Sequence, residues 1–102
     1  MSAMEIWNNV KEHFLNIKDV QKQGESLKIH RKMFAMFNKN EEFVLKLPKA
    51  RVSELIKTGI GMPYDPGNGK IMKEWVIIPN TISEKWIEMA NEAKNFAISL
   101  AK

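Results

Sequence analysis

The chain has 102 residues, enough for one hydrophobic core and little more. It contains no cysteine, which excludes a disulfide framework, a thiolate nucleophile and a cysteine-based zinc site. Its formal charge of +4 is unevenly spread: residues 27–51 hold seven basic side chains against Glu41 and Glu42, a local excess of +5, whereas residues 1–26 hold three lysines against four acids and the remainder balances. Such an asymmetry suits a surface facing a polyanion, and a solvated lysine-rich face is the plainer alternative. No apolar run approaches the roughly 20 residues that span a bilayer. The N-terminus is broken by charge and lacks a signal-peptide core. The expectation is a cytoplasmic protein with no membrane partner.

Trp7, Val10, Phe14 and Ile17 are spaced 3, 4 and 3 apart, which predicts an amphipathic helix over 4–17. Leu27 and Ile29 alternate with Lys28 and His30, a short strand. His30-Arg31 then makes a tight turn without the usual glycine. Residues 32–37 are a second strand and Asn38-Lys39-Asn40 a turn. Residues 42–47 are a third strand, with Phe43, Leu45 and Leu47 on one face. Pro48 opens a second helix carrying Val52, Leu55 and Ile56, and Gly59 stops it. Residues 61–64 suit an edge strand that tolerates Pro63. Asp65-Pro66-Gly67-Asn68-Gly69 is dense turn chemistry, and residues 72–78 are a fifth strand. Thr81-Ile82-Ser83-Glu84 has the form of a capping box, opening a last helix with Trp86, Met89, Ala93 and Ala97 on its stripe. The order is α-β-β-β-α-β-β-α. It predicts a two-layer α+β fold with a mostly antiparallel five-stranded sheet in a single domain over 1–102.

This order carries a set of sequence words: Lys32-Met33-Phe34-Ala35-Met36-Phe37, Leu45-Lys46-Leu47, Gly59-Ile60-Gly61-Met62-Pro63-Tyr64 and Lys73-Glu74-Trp75-Val76. With them the chain resembles the YjbR/MmcQ-like family, related to the N-terminal domain of the competence regulator TfoX. The resemblance covers nearly the whole chain. It implies an α-β(3)-α-β(2)-α fold and a DNA-binding, double-wing role, and it supplies no catalytic motif. The first hairpin turn, often glycine-rich in such proteins, is the more basic His30-Arg31 here.

No catalytic constellation appears. His13 and His30 lack a second ligand at metal-binding spacing. Glu41 and Glu42 would point to opposite faces of a strand. Gly67-Asn68-Gly69-Lys70 leads into a strand and is not followed by Ser or Thr, so it reads as a turn and not a phosphate loop. The expectation is therefore a non-enzymatic protein with no cofactor, no metal and no small-molecule substrate.

The alternation places Leu27, Ile29, Met33, Ala35, Phe37, Phe43, Leu45 and Leu47 toward the helices. It places Lys28, Lys32, Phe34, Met36, Val44 and Lys46 on the opposite face. Three readings compete for that face. Lys28, Arg31, Lys32, Lys39 and Lys46 could bind nucleic acid, with Phe34 stacking on a base. Phe34, Met36 and Val44 could form a homodimer interface. A helix or terminal segment could instead cover them. Nucleic-acid binding through the basic hairpin and sheet face is the principal reading, and a protein-interaction module is the alternative.

Overall fold

Trp7, Val10 and Phe14 are buried along one side of helix α1 (Ala3–Leu15), as their spacing requires. The computed structural model describes residues 2–67 and 69–101; Asn68, in the turn expected over 65–69, lies outside the described residues. Ser2 caps α1. Its hydroxyl accepts from the Glu5 amide at 3.2 Å, and the Glu5 carboxylate accepts from the Ser2 amide at 3.0 Å. Those bonds, the one from the Ser2 amide foremost, hold the Glu5 carboxyl below its ordinary range. The helix stops at Leu15, short of the expected Ile17, and Asp19, with φ of +72°, turns the chain into strand β1 (Val20–Gln23).

Strand β1 has only one apolar residue, so no alternation announces it. It forms because its backbone pairs with β2 (Ser26–Ile29), from Val20 opposite Ile29 to Gln23 opposite Ser26. The sheet continues through β3 (Lys32–Phe37), β4 (Phe43–Lys46), β5 (Met62–Pro63) and β6 (Trp75–Ile78). The spatial order is β1-β2-β3-β4-β6-β5 with every neighbouring pair antiparallel. The fold is α+β, and the sheet has six strands where five were expected.

Helices α1, α2 (Lys49–Lys57) and α3 (Trp86–Leu100) contribute to one cluster of buried residues with the inner face of the sheet. Trp7 stacks on Phe37 at 5.7 Å between centroids, and Phe43 stacks on Trp86 at 4.2 Å. Burying each such side chain contributes about 1.5–3 kcal/mol. Helix α2 ends in a glycine cap at Gly59, φ +81°. The Gly59 amide donates to the Ile56 carbonyl and the Ile60 amide to the Leu55 carbonyl. Gly61 follows because a Cβ there would lie 2.5 Å from Cγ2 of Val76.

The expected capping box at Thr81 and Glu84 is replaced by a 3-10 helix over Asn80–Lys85, and α3 begins at Trp86 without a side-chain cap. Nε1 of Trp86 donates to the Pro79 carbonyl at 3.1 Å. That bond spans Asn80–Lys85, within which Ile82 departs from helical geometry at φ −120° and ψ 37°.

Strand β3 departs from the expected alternation. Leu27 lies opposite Ala35 but Lys28 lies opposite Met33, so Phe34 is an extra residue, a β-bulge. The bulge reverses the phase of the strand before it. Phe34 enters the core, fully buried and edge-on to Phe14 at 5.7 Å, while Met33 takes the outer face. Lys32, paired with the core residue Ile29, lies on the inner side of the bulge at the strand's exposed start.

The outer face is partly covered. The Met72 amide donates to the Tyr64 carbonyl at 2.9 Å, closing the intervening loop at its base. Tyr64, Asp65, Pro66 and Gly67 line a cleft of about 370 Å³ with Asn38, Lys39, Asn40 and Glu42. Residues 64–67 thus stand against the β3–β4 turn, and Val44 and Ile77, adjacent in register on the outer face, are buried.

Candidate polyanion-binding surface

The β2–β3 hairpin closes with Ile29 opposite Lys32, leaving His30 and Arg31 as a two-residue turn. Both have positive φ, +50° and +69°, as a hairpin of the sheet's twist demands. Glycine or asparagine would take that geometry at lower cost. The turn therefore holds an exposed arginine at its tip under local backbone strain.

Four basic residues expected to act together, Lys28, Arg31, Lys32 and Lys46, converge at this end of the sheet. Lys28 lies on the outer face of β2, where its Nζ donates to Oε1 of Gln23 at 2.8 Å. Lys46 lies on the outer face of β4 opposite Trp75, with its Nζ 5.9 Å from the indole centroid, a cation–π contact. One strand separates β2 from β4, so Lys28 and Lys46 emerge about 10 Å apart. The antiparallel order brings Arg31 and Lys32 to the same end.

Two further lysines join them that sequence reasoning did not single out. Lys49 opens α2, and Lys73 precedes β6. With Lys46, Ile71, Met72, Glu74 and the half-buried Trp75 they line a cleft of about 290 Å³. In the sequence Lys49 is only part of the central charge excess, and Lys73 falls within the strand expected over 72–78. Their convergence depends on β6 inserting beside β4, which no local pattern reports. Ion pairs among the described residues join Lys11 to Glu25 and Arg51 to Glu54 and Glu92; none involves Lys28, Arg31, Lys32, Lys46, Lys49 or Lys73.

Other expected members of the site stand apart. Lys39 is exposed in the β3–β4 turn, at the opposite end of a six-residue strand from Lys32 and about 20 Å away. Arg51, part of the central charge excess, is matched by two acids. Its Nε and Nη2 meet the two carboxylate oxygens of Glu92 at 2.7 and 3.2 Å, and its Nη1 meets Glu54. The expected interface residues Phe34, Met36 and Val44 do not form an open apolar patch. The bulge turns Phe34 into the core, Val44 is fully buried on the outer face, and Met36 is half-buried.

His13 is exposed and packs edge-on to Phe14 at 4.9 Å, whereas His30 occupies the hairpin turn. Among the described residues no three His, Cys, Asp or Glu side chains are grouped to hold a metal ion, and no helix is long and apolar enough to cross a membrane. Set against protein-family models, curated proteins and solved structures, the chain matches none.

Proposed function

We propose that the protein is a non-catalytic binding module that receives a nucleic-acid backbone at the basic end of its sheet. The observation that carries this reading is the placing of Lys28 and Lys46 either side of β3 on one face, with the half-buried Trp75 next to Lys46 and the exposed Arg31 and Lys32 of the β2–β3 hairpin at the same end. Lysines at strand spacing neutralise successive phosphates and release their counterions. The hairpin acts as a wing, reaching past the sheet. The half-buried Trp75, with Lys46 already against its ring, is the aromatic group a base would contact. Apart from Lys49 at the start of α2, the basic groups lie on strands and loops, so the contact is to backbone and shape, with weak sequence preference. The resemblance to YjbR/MmcQ-like proteins agrees with such a role, and β1 would then be an addition at the edge of the family's sheet.

The test is fluorescence anisotropy with labelled single-stranded DNA, double-stranded DNA and RNA, at low and near-physiological salt. Micromolar or tighter binding that persists at physiological salt is expected. Lys28→Glu with Lys46→Glu, and separately Arg31→Glu with Lys32→Glu, should each weaken it by roughly tenfold or more. Lys39→Glu, on the far turn, should leave it nearly unchanged. Loss of all binding at physiological salt, or equal sensitivity to Lys39→Glu, would overturn the proposal.

A further inference from the structure

A second concavity lies between α2 and the segment preceding β6. It has a volume of about 460 Å³. One wall is the side of α2 that carries Val52 and Ile56; the other is Ile71 and Met72, which are 56% and 42% exposed. Exposing two adjacent large apolar side chains to water is unfavourable by roughly the amount that burying them would recover. Lysines stand around the groove at Lys49, Lys57 and Lys73, and no acid is among its lining residues.

We infer that this groove docks a short peptide segment of a partner protein in which acidic and aliphatic side chains are interleaved. The apolar walls would take the aliphatic side chains and the lysines the carboxylates. Lys49 and Lys57 open and close α2, eight residues apart, which on a helix is about 12 Å. A fatty acid or other single-headed amphiphile brings one charge to one end and cannot meet both. The groove adjoins the cleft at Trp75 and shares Lys49, Ile71, Met72 and Lys73 with it, but its own far wall, Val52 and Ile56, is aliphatic and gives the bases of a nucleic acid nothing to stack on between Lys49 and Lys57. A peptide with carboxylates about four residues apart in extended form, or two turns apart as a helix, meets both lysines and both walls.

The experiment is selection of random peptides displayed on phage against the immobilised full chain, followed by anisotropy with the enriched peptide made synthetically and labelled. Enrichment of sequences mixing Asp or Glu with Leu, Ile or Val is expected. The selected peptide should shift amide resonances of Val52, Ile56, Ile71 and Met72. Ile71→Asp and Lys57→Glu should each weaken it by roughly tenfold; both positions are exposed, so the variants remain folded by circular dichroism. Arg31→Glu with Lys32→Glu, which tests the nucleic-acid surface, should leave peptide binding intact. The inference is overturned by enrichment of no acidic-aliphatic sequence, by resonance shifts away from the groove, or by a Lys57→Glu variant that loses oligonucleotide binding while peptide binding is untouched.

Discussion

Trp7 and Trp86 are both fully enclosed, yet their indole N–H groups fare differently. That of Trp86 donates to the Pro79 carbonyl, while that of Trp7 has no partner among the described residues. An unsatisfied buried donor costs about 1–3 kcal/mol, and an intact bond contributes about 1. Phenylalanine at either position leaves a cavity of similar size. Trp86→Phe also strands a carbonyl, whereas Trp7→Phe removes a stranded donor. Urea denaturation should therefore find Trp86→Phe less stable than Trp7→Phe by about 2 kcal/mol or more. An equal or reversed order would mean that water reaches the Trp7 N–H in solution. Both tryptophans were legible as core residues from helical spacing. Which of them is satisfied depends on where Pro79 falls, and spacing carries no information about that.

The β2–β3 hairpin joins stability to the proposed function. Its two-residue connection was readable from the alternation that brackets it, despite the missing glycine. The left-handed backbone at Arg31 costs an L-residue roughly 1 kcal/mol, partly offset because glycine gains entropy in the unfolded chain. Arg31→Gly should raise stability by about 0.5 kcal/mol, read as a shift in denaturation midpoint at constant slope. The same change should weaken oligonucleotide binding. A drop in stability would show that the arginine side chain holds the turn together instead of serving a ligand. In the adjoining strand the period-2 reading failed. It assigned Phe34 to the open face and Met33 to the core, because a bulge is a property of two strands in register and β3 alone gives no sign of it.

The molecule as a whole is a sheet with helices on one face and a partly buried outer face at Val44 and Ile77, with ion pairs between separate segments. Arg51 is the clearest tie, gripping Glu92 of α3 from α2. Glu92 first and Glu54 second favour the charged guanidinium and raise its already high pKa. Both groups of the Arg51–Glu92 pair are more than a third exposed, so solvent screens it. A double-mutant cycle with Arg51→Ala and Glu92→Ala should give a coupling below about 1 kcal/mol that shrinks with added salt. A larger, salt-insensitive coupling would indicate that the pair governs how α2 packs on α3. It would also connect the peptide groove on α2 to the rest of the core.

Local chemistry determined what was legible in the chain: the apolar stripes of three helices, the glycine stop at Gly59, the tight turn at His30-Arg31 and the central excess of positive charge. Each depends on residues within a few positions of one another. Tertiary structure alone decided the rest. Strand β1 exists because β2 offers it an unpaired edge. The bulge at Phe34 selects which side chains of β3 reach the core. Insertion of β6 beside β4 gathers Lys46, Lys49, Lys73 and Trp75 at one cleft, while the length of β3 keeps Lys39 away. Cross-strand register and chain crossing are set by contacts between segments far apart in sequence, and residue spacing within one segment cannot encode them.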